Sequence, residues 1–225
     1  MVYGLYINSG DLYGYNVGSE ILDGDKDKVR PVDETPDGGT LPGNSLRSFG
    51  RHVITEHLPT RMRWKETEGR PMPDFHESHI RNVSERAKAL IERFDPGVHQ
   101  FVAVDFFDKD DHFLEHRYFL FPGNRIDSLD HEKTTFMLEK YPRSSEWVNP
   151  QDLVRSGETD LIPPHIDPNQ TPKYVFSRAQ IGGAHLWVDK YITGSVWISD
   201  ELADVMRGAA LTGVKLGEIG AETVG

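Results

Sequence analysis

Ten histidines are spread through a chain with no cysteine, and three short stretches set them at spacings that can do chemistry. "FHESH" carries His76 and His79, and "HFLEH" carries His112 and His116. A zinc-protease helix needs Glu directly after the first His and the second His one turn on. Neither stretch meets both conditions: in the first the second His follows three residues on instead of four, and in the second Phe113 stands where Glu is needed. Along an extended strand His112 and His116 share a face, but two imidazoles fall short of a metal's donor set. Surface histidines are the expectation, and no metal site is assigned. "PHIDPN" offers His165 and Asp167 as a general acid/base pair in a proline-rich loop, the basis of one alternative reading, a small hydrolase. No phosphate-cradling glycine loop and no GxSxG nucleophile turn is present. No catalytic residue and no cofactor is therefore assigned.

Carboxylates are the second candidate group. "DKDD" places Asp108, Asp110 and Asp111 at what reads as a hairpin tip, and the segment Asp23 to Asn44 holds Asp33, Glu34 and Asp37. A calcium loop needs a longer ladder of oxygen ligands ending in Glu. The sharper expectation for these six acids is contact with a basic protein partner. The whole chain agrees in sign, with a net charge of -11 over 225 residues. A nucleic-acid binder carries a basic face, so nucleic acid is not an expected partner. No apolar run reaches the roughly 18 residues of a membrane span, and the first residues show no export leader. The lack of cysteine fits a reducing compartment, so a cytoplasmic protein is expected.

The elements that must position these groups follow from periodicity. "VYGLYI" reads as a first strand, with "DLYGYNVG" as its partner. Asp23–Asn44 reads as a long exposed loop, and the spacing of Leu46, Phe49, Val53 and Ile54 predicts a helix. Residues 99–121 predict a hairpin whose first strand, "FVAVDFF", is apolar enough to be buried on both faces. A strand is expected within Thr134–Tyr141, and a short helix runs from Asn149-Pro150 to Gly157. "KYVFSRA", "AHLWVDK" and "SVWIS" read as strands, with Trp187 and Trp197 in the core. A pocket at those tryptophans would instead suit a ligand-sensing or structural module of a secretion locus.

One pattern occurs twice. "IRNVSERAKALIERFDPGVHQF" and "VWISDELADVMRGAALTGVKL" each run from a strand into a serine, an amphipathic helix, a glycine and a second strand. Ser84 and Ser199 are placed to cap the helices. Asp200 sits in a first turn, where the helix dipole favours a carboxylate. Gly97 and Gly213 let the chain leave. These five residues are structural. The fold class expected is α+β, with mixed or mostly antiparallel sheets, helices on one side and two related strand–helix–strand units. Residues 1–122 would form an N-terminal lobe and 123–225 a C-terminal lobe, or the two one continuous domain.

The second unit also carries a resemblance. Ile198-Ser199-Asp200, Leu211-Thr212-Gly213 and His185-Leu186-Trp187, with the upstream "NRIDSLD" from Asn124 to Asp130, resemble immunity protein family eleven of bacterial polymorphic toxin systems. The likeness covers roughly residues 120–140 and 170–220, and Thr134 stands where the family has Ser. The resemblance implies a non-catalytic protein, encoded beside a secreted toxin, that binds the toxin and neutralises it. A toxin with a basic active-site face would suit the acidic chain. No site residues come with it.

Overall fold

A computed structural model describes residues 1–8, 17–41, 50–164, 166–192, 194–219 and 223–224. In chain order the elements are β1 (Val2–Ile7), β2 (Ser19–Ile21), β3 (Arg61–Trp64), β4 (Phe75–Glu77), β5 (Arg81–Val83), α1 (Glu85–Phe94), β6 (Gln100–Phe107) and β7 (Phe113–Phe121). There follow β8 (Arg125–Ile126), β9 (Met137–Lys140), β10 (Ser145–Val148), α2 (Pro150–Ser156), β11 (Phe176–Ser177), α3 (Arg178–Ile181), β12 (Leu186–Asp189), β13 (Trp197–Ser199), α4 (Asp200–Gly208), β14 (Val214–Glu218) and β15 (Thr223–Val224). The fold is α+β. One sheet has the order β14-β1-β13-β12-β8 and the other β2-β3-β6-β7-β5-β4, with the pairs β9-β10 and β11-β15 apart from them. Both large sheets are mixed, because β3–β6 and β12–β8 are parallel and the remaining neighbours antiparallel.

The two similar stretches fold alike. In the first, β5 and β6 flank β7, and α1 connects them. In the second, β13 and β14 flank β1, and α4 connects them. Each central strand is antiparallel to both of its neighbours. Ser84 caps α1 at φ -68, ψ 162 and Ser199 caps α4 at φ -68, ψ 161, each hydroxyl accepting the backbone N–H three residues on. Such caps are worth about 1 kcal/mol each. Gly97 and Gly213 sit at φ +71 and φ +74, the left-handed region that glycine enters without cost. At Gly213 a Cβ would also overlap the Phe75 carbonyl oxygen.

The units hold one another reciprocally. Phe75, opening β4, donates its N–H to the carbonyl of Thr212 in the loop after α4, at 3.0 Å. Leu186, opening β12, donates its N–H to the carboxylate of Asp95 at the end of α1, at 2.8 Å. Before those strands stand Asp74 and His185. The Asp74 carboxylate accepts the Ser84 hydroxyl at 2.7 Å, and His185 Nδ1 lies 2.8 Å from the Ser199 hydroxyl. A shared core then forms from Val83, Ala87 and Ile91 of one unit and Ile198, Leu202 and Met206 of the other. These positions are apolar in both copies because the same stripe of each helix faces that core.

Several sequence expectations need correction. Residues 50–57 form no helix; Leu46 and Phe49, which set the helical spacing, lie outside the described residues. Val53 is extended, bridges Pro31 and exchanges two backbone hydrogen bonds with the Gln100 side chain. Buried Val53 beside exposed Ile54 is strand-like alternation. β6 is not buried on both faces, since Ala103 is exposed while Val104 and Phe106 are buried. The strand expected at "KYVFSRA" shrinks to two residues, because the Ser177 side chain caps α3. Thr134 precedes the strand instead of opening it: its hydroxyl bonds the N–H of Val175. The partner strand expected at "DLYGYNVG" lies mostly outside the described residues.

Candidate functional site

The "DKDD" turn is built by its own first residue. One carboxylate oxygen of Asp108 accepts the N–H of Asp110 at 2.8 Å and of His112 at 2.9 Å, and the other lies 3.1 Å from His112 Nδ1. The His112 N–H foremost, with the other donors, holds this carboxyl below the usual aspartate range. Its charge is therefore fixed. Asp111 takes φ 63, which aspartate tolerates better than most side chains. Its carboxylate receives Arg63 at 2.7 Å. Asp110 is exposed beside Lys109. The turn also brings ligand atoms of Asp108, Asp110 and His112 within 4.8 Å of one another. Asp108, however, already spends its oxygens on the turn, and the other two are open to solvent.

Directly after the turn, Phe113 is 49% exposed and Leu114 42%. Two adjacent apolar residues in a strand point to opposite faces, so one face alone cannot explain both. The register shows how both reach solvent. Phe107 pairs with Phe113 and Phe106 with Glu115, leaving Leu114 as the extra residue of a bulge. A bulge re-aims side chains and raises the local twist. Phe113 thus packs at 6.0 Å against Phe107 and at 4.8 Å against His116 on one face. Leu114 turns the other way, into a cleft walled by Trp64 and Met72. Glu115 beside it holds the buried guanidinium of Arg117 at 2.6 Å.

The other three acids lie elsewhere. Asp33 caps Thr35 at 2.8 Å. Asp37 binds Arg125 at 2.7 Å and Arg51 at 3.2 Å. Although burial works to raise the Asp37 carboxyl, these guanidiniums and the Gly39 N–H pull it far below the ordinary value. Glu34 is exposed between them. This segment joins the start of β6 through Val32–His52 and His52–Val98 hydrogen bonds. The hairpin tip is at the far end of the eight-residue strand, roughly 26 Å away at about 3.3 Å per residue. The six acids therefore form two separate groups, and Asp37 in particular ties the Asp23–Leu41 segment down.

The histidine pairs come apart. His76 is buried in β4, in edge contact with Trp64, whereas His79 is exposed in the following turn. His112 is held in the turn by Asp108, and His116 lies 2.6 Å from Asp105. The bulge between them removes the shared face that regular alternation predicts. Asp167 caps Asn169, while His165 lies outside the described residues. A dyad not foreseen from sequence joins Asp95 and His99 at 3.1 Å. The Gly123 N–H donates to His99 Nδ1 at 3.0 Å, so Nε2 carries the proton toward Asp95. Both ring nitrogens are thus committed to holding the chain.

The motif-like segments also prove to be framework. Asn124 donates to the Leu186 carbonyl, and Ser128 gives its N–H and hydroxyl to Asp189. Burial raises the Asp189 carboxyl despite those donors. Trp187 and Trp197 face each other across β12 and β13 in an apolar cluster with Phe176. No helix among the described residues is long and apolar enough to cross a membrane.

The Immunity protein family (Imm11) profile matches residues 27–221. The chain belongs to that family, and membership points to a role in toxin immunity. The match extends far upstream of the segments whose letters suggested it, across β3–β7 and the hairpin tip. No curated protein matches the chain.

Proposed function

We propose that this protein binds a cognate bacterial toxin and neutralises it by occupying its surface, without catalysis and in the cytoplasm of the producing cell. The observation that carries the reading is the hairpin end, where exposed Phe113 and Leu114 adjoin a turn of fixed negative charge. A few well-packed anchors at the centre of an interface carry most of protein–protein affinity, and charge complementarity speeds encounter. The buried Asp95–His99 pair is consumed by backbone contacts, which favours binding over hydrolysis. A basic face on the toxin would complete the match.

Asp108 cannot test this cleanly, because its carboxylate folds the turn. Asp110→Lys combined with Asp111→Asn leaves that carboxylate in place, and Asn keeps the left-handed backbone tolerable. We expect this double variant to retain its melting temperature and to bind the toxin at least 10-fold more weakly by surface plasmon resonance, chiefly through slower association. Unchanged association would move the interface to another face.

A further inference from the structure

We infer that the cleft beside the hairpin bulge receives a single arginine or lysine side chain from the toxin; this rests on the neutralising role proposed above. The cleft has a volume of about 320 Å³, near the floor of the roughly 300–1,000 Å³ typical of ligand pockets, a scale that suits one long side chain. Its walls are chemically divided. Trp64, Met72 and Leu114 supply apolar surface, and Asp108 and Glu115 supply part-exposed carboxylates. The buried Glu66 carboxylate offsets the Arg70 guanidinium, and the buried Arg117 pairs with Glu115, so Asp108 leaves the lining net negative.

That division matches a long cationic side chain, whose methylene stem lies along apolar surface while its head seeks anions. Each wall is held in place. Glu66 is fully buried and fixed by the N–H groups of Glu68 and Arg70, and Arg70 is turned onto Glu66 at 3.0 Å. Burial would raise the Glu66 carboxyl, but those donors outweigh it and keep it ionised. Asp108 is locked by its turn. Leu114 faces the cleft because it is the extra residue of the bulge. An incoming cation therefore meets a preformed, net-negative slot, and an anionic group would be repelled.

The test titrates this protein calorimetrically with the toxin encoded beside it, inactivated at its own catalytic residue. Leu114→Trp fills the cleft, and Glu115→Gln removes one charge while keeping an oxygen for Arg117. Circular dichroism melting confirms that each variant is folded. The expected result is about 30-fold weaker binding for Leu114→Trp and about 10-fold weaker for Glu115→Gln, with a shallower salt dependence for the latter. Tight binding by the wild-type protein with both folded variants within twofold of it would overturn the cleft and leave neutralisation standing. Failure of the wild-type protein to bind would instead remove the neutralising role, and the cleft with it.

Discussion

Asp95→Ala should cost roughly 3–5 kcal/mol of folding stability, the range for breaking a buried, hydrogen-bonded charge. Asp95 is 5% exposed. Its carboxylate receives Leu186 N–H at 2.8 Å, His185 N–H at 3.2 Å and His99 Nε2 at 3.1 Å. Alanine would strand all three donors at the seam between the two strand–helix–strand units. Each buried donor left without an acceptor costs about 1–3 kcal/mol, and local relaxation keeps the total below the simple sum. The N–H groups and His99 outweigh burial and hold the Asp95 carboxyl below its ordinary value. Its contribution is therefore present at neutral pH and fades as pH falls below the unfolded aspartate value of about 3.9. Urea unfolding at pH 7 reads the effect directly. A loss under about 1 kcal/mol would mean that the seam is held by apolar packing alone.

The second large effect is on acid stability, and it belongs to His76. Burial first, then the Arg117 and His79 charges, depress this imidazole from 6.5 to about 3. Neither ring nitrogen has a hydrogen-bond partner among the described residues. The folded protein thus keeps His76 neutral where the unfolded chain would protonate it. Stability is complete above pH 6.5 and falls as pH drops from 6.5 to about 3, by about 1.4 kcal/mol per unit. Across that window the loss approaches roughly 5 kcal/mol. His76→Phe keeps a ring against Trp64 and removes the titration. We expect its stability to be flat between pH 6 and pH 4.5, where the native protein loses about 2 kcal/mol. Asp74, brought down to about 2 chiefly by Arg86 against the opposing pull of burial, acts at lower pH. The two phases are separable in denaturant titrations run at several pH values, and parallel slopes for both proteins would contradict the assignment to His76.

The framework was legible because its signals are local. Ser84, Ser199, Gly97, Gly213 and the Asn149-Pro150 start each act on the turn in which they stand, so spacing alone located α1, α2, α4 and the 99–121 hairpin, but not α3. What stayed hidden depends on partners far along the chain. Val53 follows a helical pattern but is drawn out straight by Gln100, 47 residues away. Asp37 reads as a free surface acid until Arg125, 88 residues on, closes over it. The sequence places Asp108, Asp110 and Asp111 at the hairpin tip, but it does not show the exposure of their apolar neighbours. "HFLEH" conceals a bulge, and only the register shows that Phe113 and Leu114 both reach solvent. The cleft walls at Trp64 and Met72 come from a different strand and loop, which no spacing connects to residue 114.

The most direct test of neutralisation by occupancy is a stoichiometric titration of toxin activity. Increasing amounts of this protein are added to a fixed amount of active toxin, and residual activity is measured after equilibration. Occupancy predicts a linear fall to zero at a fixed molar ratio, with full recovery of toxin activity once the complex is dissociated. Complete inactivation at a small fraction of that ratio, or toxin that stays dead after separation, would show that the protein modifies its target instead of covering it.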